Sequence, residues 1–285
     1  MPVGPPGSPG SPASTPTAAG LRITRALARC SDGRSEASLD PDLRVFVSDL
    51  VRPYGLPLRE DLLREGVGHS YEELAADLLR EAVGEDEPVD LLILAFDTPD
   101  VRPGAPSSLA LSRSVPGGPL AFAVCDQGSA AAFTALRLAA EYHRAGACRR
   151  AVVVLAEQTA LHYEPAEPVA LPRRHAAVVL VCEEEPGAGL AVRQQRHPAD
   201  RAESAVRPES VVRAESVVRA RTAELGPGAA VLDATGGDDG PAAQPFTGLW
   251  AELAERLPEW RAQRRPLLVA GLDRRLGVLS TLAQP

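Results

Sequence analysis

This chain predicts an α/β fold built on a mostly parallel sheet, on three observations. Continuous apolar runs at residues 89–96, 120–125, 151–155 and 176–183 read as short strands, the first of them of the kind buried on both faces. Helical patterns alternate with them, as at residues 71–82, where Leu74, Leu78 and Leu79 share a face behind the capping residue Ser70. A helix followed by paired strands then recurs in a second, much shorter stretch, which hints at internal duplication.

In chain order, residues 43–48 read as a strand, 71–82 as a helix, 89–96 as a strand and 107–112 as a short helix. The strand at 120–125 breaks at Asp126-Gln127-Gly128, and an Ala-rich helix at 129–145 follows at once. Strands at 151–155 and 176–183 come next, and residues 189–194 are expected to pair with the latter across the Pro186-Gly187 turn. Residues 201–218 repeat a six-residue unit three times, starting at Arg201, Arg207 and Arg213. Its Glu203–Arg207, Glu209–Arg213 and Glu215–Arg219 spacings favour a helix, with Pro208 in a first turn, Gly226 as the stop, and Val211, Val218 and Leu225 on one face. A strand at 229–233, a helix at 246–257 and strands at 266–272 and 276–281 complete the chain.

Composition narrows the function. With 30 basic against 38 acidic residues the net charge is −8, and no basic cluster tracks along a helix or loop, so nucleic acid is not an expected partner. Every basic residue is Arg; the absence of Lys excludes Schiff-base lysine chemistry. The four cysteines and five histidines show no ligand spacing, so no metal is expected, and Cys125, Cys148 and Cys182 suit buried free thiols in a reducing cytosol. The Pro/Gly/Ser/Thr-rich start lacks the apolar core of a signal peptide and no run reaches membrane-spanning length. A cytoplasmic protein without membrane contact is the expectation.

The residue that draws attention is Ser129. A hydroxyl at a strand-to-helix turn lies where backbone N–H groups and the positive helix end favour a developing anion, as an acyl-accepting nucleophile needs. The same position is also the ordinary place for a helix-capping serine. Asp233 and Asp273 each end a strand. Either is a candidate general base if burial raises its pKa, and either is equally a turn residue. His175 enters a buried strand, whereas His69, His143, His162 and His197 fall in loop, helix-surface or repeat-boundary contexts.

The segment from Gln127-Gly128-Ser129 through Ala139 resembles the nucleophile region of the ketosynthase III family in the thiolase superfamily. It is most similar to the acyltransferase branch in which Cys or Ser follows Gln-Gly. Residues 89–100, with their Asp97-Thr98-Pro99-Asp100 turn, resemble the strand before it, and residues 151–157 the strand after it. The resemblance covers roughly residues 40–195 and implies a thiolase-like fold of two pseudo-repeated αβ halves with a shortened second half. On that reading residues 1–20 are a disordered tail and 21–197 the N-terminal half carrying Ser129. Residues 198–221 are a repeat-containing linker and helix, and 222–285 the C-terminal half.

The resemblance also implies a substrate, an acyl-coenzyme A or acyl carrier protein thioester, with no bound cofactor. It implies a His, paired with Asn or a second His, in the second half; residues 201–285 contain no His and the chain has no Asn. Two functions are therefore expected. One is a ketosynthase III-like subunit that pairs with a competent ketosynthase, or with itself, and serves an acyl carrier protein in acyl or polyketide-type specialised metabolism. The other is an acyltransferase that uses Ser129, with Asp233 at the family's His-bearing loop. Where the family has small residues this chain has Arg173-Arg174-His175, which are expected to reach into a partner or plug the site.

Overall fold

The computed structural model describes residues 19–102, 106–196, 208–236 and 244–285. Two sheets carry the chain. The first contains β1 (Ala19–Ser31), β2 (Leu91–Ala95), β3 (Leu120–Val124), β4 (Arg150–Glu157) and β5 (His175–Pro186), in the order β1-β5-β4-β2-β3. The second contains β6 (Ala191–Arg196), β7 (Ala230–Ala234), β8 (Leu267–Asp273) and β9 (Val278–Gln284), in the order β6-β9-β8-β7.

The two sheets are built on one plan. β1, β5 and β4 are neighbours in antiparallel pairs, as are β6, β9 and β8, and the parallel partner β2 on β4 has its counterpart in β7 on β8. Only β3, parallel to the outer edge of β2, has no counterpart among the described residues. Among the described residues the second sheet is therefore one strand narrower than the first.

Helices complete the layers. α5 (Ala130–Arg144) joins β3 to β4, and α7 (Gly248–Ala262) joins β7 to β8. Their buried residues, including Phe133, Leu136, Trp250 and Leu253, form one core with alternate residues of both sheets such as Leu91, Val153, Leu180 and Val269. The opposite residues of the first sheet, among them Leu92, Val152 and Val179, pack on α3 (Tyr71–Ala82) and on Leu111 of α4 (Ser107–Ser112). Leu268 and Ala270 turn outward to Val218 of α6 (Pro208–Leu225). Because sheet side chains alternate, both sheets are apolar on both faces, and the result is a five-layered α-β-α-β-α stack. Ser70 caps α3 with a reciprocal Glu73 capping box.

Four expectations need correction. The sheets are not mostly parallel: among the described strands four pairings are antiparallel and three parallel, because β4 runs to β5, and β8 to β9, with no crossover helix between them. Residues 43–48 are not a strand but the middle of α1 (Pro41–Val51), where Asp40 caps the end, Pro41 fits the first turn, and Leu43, Val47 and Val51 are buried at four-residue spacing. Residues 189–194 do not pair with β5, because β1 and β4 occupy both of its edges, and β6 instead crosses to β9. Lastly, β1 went unread, though it covers β5 over its whole length. α2 (Glu60–Glu65) is a further short helix. The repeat does end in a helix over 208–225. The tail at 1–18, His197, the repeat through Arg207 and the side chain of Glu209 lie outside the described residues.

Candidate functional site

The turn between β3 and α5 is tight and depends on its sequence. Asp126 and Gly128 both take left-handed backbone angles, φ 59° and 53°, which turn the chain from strand to helix in a few residues. Gln127 anchors the turn sideways, its Oε1 accepting a hydrogen bond from Thr134 Oγ1 at 2.6 Å on the second turn of α5. Ser129 then occupies the N-cap position, but its side chain makes no capping hydrogen bond.

Ser129 faces Asp273, at the end of β8. Asp273 Oδ2 accepts the Ser129 backbone N–H at 2.7 Å and the Ser129 hydroxyl at 3.2 Å, while Oδ1 accepts Leu276 N–H at 2.8 Å. Gly128 is needed for this approach, since a β-carbon there would overlap Asp273 Oδ2. Asp97, in the loop after β2, faces the same turn. Burial raises its pKa, against the opposing effect of Arg275, whose guanidinium lies 3.2 Å away. Around Ser129, then, stand the carboxylates of Asp97 and Asp273, with Arg275 as counterion to the former. Among the described residues no histidine hydrogen-bonds Ser129.

Of the two aspartates singled out from sequence, the structure brings only Asp273 to Ser129. Asp233 is exposed at the end of β7, and its Oδ1 accepts Thr235 N–H at 2.9 Å and Thr235 Oγ1–H at 2.7 Å in a local turn.

Sequence reading passed over Glu157. It ends β4 as Asp273 ends β8, and its carboxylate is 2% exposed. It accepts hydrogen bonds from Phe246 N, Thr247 N, Thr247 Oγ1 and Gln244 Nε2 at 3.0, 3.0, 2.5 and 2.9 Å. Thr247 is the N-cap of α7 as Ser129 is of α5. The two halves thus hold each other crosswise, each central helix having its N-terminus bound by the carboxylate that ends the strand following the other central helix. A Glu closing an otherwise apolar strand was the available signal, because buried carboxylates need partners.

His175 belongs to a separate group. Its Nδ1 accepts Thr159 N–H at 3.3 Å, and the His69 ring meets it edge-on at a centroid distance of 4.5 Å. Burial and then His69 lower its pKa to about 4, against Asp32, which acts to raise it. The unfolded chain takes up this proton from about pH 6.5 downward, whereas the folded chain stays neutral until about pH 4, so stability is lost as pH falls through that window. His175→Gln is expected to remove part of that loss in urea unfolding compared at about pH 7 and about pH 5; an unchanged loss would mean that other groups carry it. Arg174 does not plug the site: it pairs in a bidentate fashion with Asp32 at 2.9 and 2.6 Å on the surface of the chain.

No protein-family model matches the sequence, and no curated protein sequence matches it. Solved structures do share its architecture. ChlB3, described as an acyltransferase, is 18% identical with a TM-score of 0.59, over 93% of this chain and 97% of that one. The priming β-ketosynthase of the R1128 polyketide pathway is 14% identical with a TM-score of 0.58, over 96% and 98%. The 3-oxoacyl-(acyl carrier protein) synthase III of Pseudomonas aeruginosa PAO1 is 16% identical with a TM-score of 0.57, over 93% and 97%. This chain shares their thiolase-like fold. No helix among the described residues is long and apolar enough to cross a membrane.

Proposed function

We propose that this chain is a ketosynthase III-like subunit that performs no acyl transfer by itself and pairs with a catalytically competent ketosynthase in polyketide-type acyl assembly. The observation that carries this reading is the carboxylate on Ser129. An acyl-accepting hydroxyl needs a base to take its proton and free N–H donors to hold the negative oxygen that forms. Here the Ser129 N–H is already taken by Asp273, and a new anion at that point would lie against a like charge. The missing His and Asn remove the remaining chemistry.

An interaction surface survives beside the closed site. Among the described residues β3 pairs with β2 alone, which leaves its outer edge without a strand partner, and Leu120 on it is 53% exposed. An open apolar edge of this kind favours strand pairing with another chain. Co-expression with a catalytically competent ketosynthase III-type subunit from the same genome is expected to give a stable one-to-one complex in sedimentation. A homodimer that ignores such a partner would contradict the proposal. The acyltransferase alternative draws on the likeness to ChlB3 and on Ser129 at the start of α5; it requires Asp273 to withdraw.

A further inference from the structure

Asp273 and Glu157 hold equivalent places in the two halves but are held differently. Glu157 is enclosed and takes four donors from the α7 end and Gln244. Asp273 takes the two Ser129 donors and Leu276 N–H, and sits at the base of the 274–277 turn joining β8 to β9. Its neighbour Arg275 is largely exposed and holds the turn to Asp97 across the two halves by one contact at 3.2 Å. Both carboxylates are buried, Glu157 at 2% and Asp273 at 8% exposure, but Asp273 lies directly before a turn that carries the exposed Arg275.

We propose that Asp273 is an autoinhibitory carboxylate: an internal anion that occupies the acyl-carbonyl position at the N-terminus of α5, whose removal alone makes that position receptive to negative charge. The inference rests on the subunit reading and names what keeps that subunit's site shut. Physically, the amide, the helix end and the carboxylate compete. With Asp273 in place, the carboxylate cancels the field of the helix N-terminus at residue 129. Without it, the free N–H and the aligned peptide dipoles of a 15-residue helix favour an anion there, against the Asp97 carboxylate, which Arg275 offsets, and the nearby Asp126.

A thiol placed at residue 129 reports this competition directly, because its ionisation follows the local field. In Ser129→Cys the thiolate faces Asp273, and iodoacetamide alkylation followed across pH by peptide mass spectrometry is expected to give an apparent pKa above the ordinary value of about 8.5. The peptide readout separates it from the exposed Cys30 and partly exposed Cys125. In Ser129→Cys with Asp273→Asn the apparent pKa is expected to fall by at least about one unit, or roughly tenfold more thiolate near neutral pH.

Equal profiles for the two variants would overturn the proposal. So would a pKa below about 8.5 in the single variant, a result that stands even if the double variant fails to fold. The subunit reading fails separately, by loss of complex formation in the unsubstituted chain. A stable complex with equal thiol profiles would sink only the autoinhibitory role.

Discussion

Glu157→Ala is expected to lower the unfolding free energy by about 3–4 kcal/mol, measured by urea unfolding, because it strips a buried helix end of its acceptor. The side chain is 2% exposed and four donors converge on it, two of them backbone N–H groups at the start of α7. The Phe246 and Thr247 donors are buried and have no intrahelical partner, whereas Gln244 Nε2 also donates to Arg174 O. The cost is dominated by what is left unsatisfied, at about 1–3 kcal/mol per buried donor before relaxation. Glu157→Gln retains one acceptor oxygen and is expected to lose about half as much. Burial holds the Glu157 pKa above its ordinary value despite these donors. A Glu157→Ala midpoint within error of the parent would mean the crosswise clamp carries no stability.

Phe133→Ala is expected to cost a comparable amount, about 3–5 kcal/mol, by opening a cavity between the layers. Phe133 is 1% exposed on α5, and its ring stands against Trp250 of α7 at a centroid distance of 5.0 Å and an interplanar angle of 61°. It also fills the space over Gly271 of β8, where a β-carbon would lie 3.3 Å from Phe133 Cε2. One ring therefore joins both central helices to the second sheet. The surrounding backbone is regular helix and strand and cannot collapse far into the void. The signature is a lower urea midpoint with an unchanged slope; a slope change would mean the two halves unfold apart. Because Phe133 lies one helical turn beyond Ser129, Phe133→Leu is the milder variant for functional assays.

Much of this architecture was legible where burial is two-sided. β2, β4 and β5 are unbroken apolar runs because helices cover both faces of their sheet. α1 was misread because Val45, Phe46 and Leu50 are exposed on a helix whose buried face is Leu43, Val47 and Val51, so apolar residues surround it and mimic a strand. β1 was missed because its polar residues reach across to other segments. Arg25 pairs with Glu87 and Glu183, and Arg22 with Glu185, and such pairing leaves no local pattern.

The site shows the same limit. Gln127-Gly128-Ser129 marks a strand-to-helix turn, and that turn is where the sequence placed it. Its partner Asp273 lies 144 residues away, and nothing in the local sequence ranks it above Asp233. Pairing β7 to β8 and laying α5 over both sheets brings the one to Ser129 and leaves the other in an exposed turn. The reciprocal role of Glu157 depends on the same register and could be seen only once the two halves were superposed by topology.

While Asp273 holds it, the Ser129 position is expected to be closed to acyl transfer. Intact mass of the purified chain, after incubation with a panel of acyl-coenzyme A and acyl carrier protein thioesters, tests this most directly. An unmodified mass is expected with every thioester, for the parent and for Ser129→Ala alike. An acyl adduct on the parent that disappears in Ser129→Ala would contradict it and establish the chain as an acyltransferase.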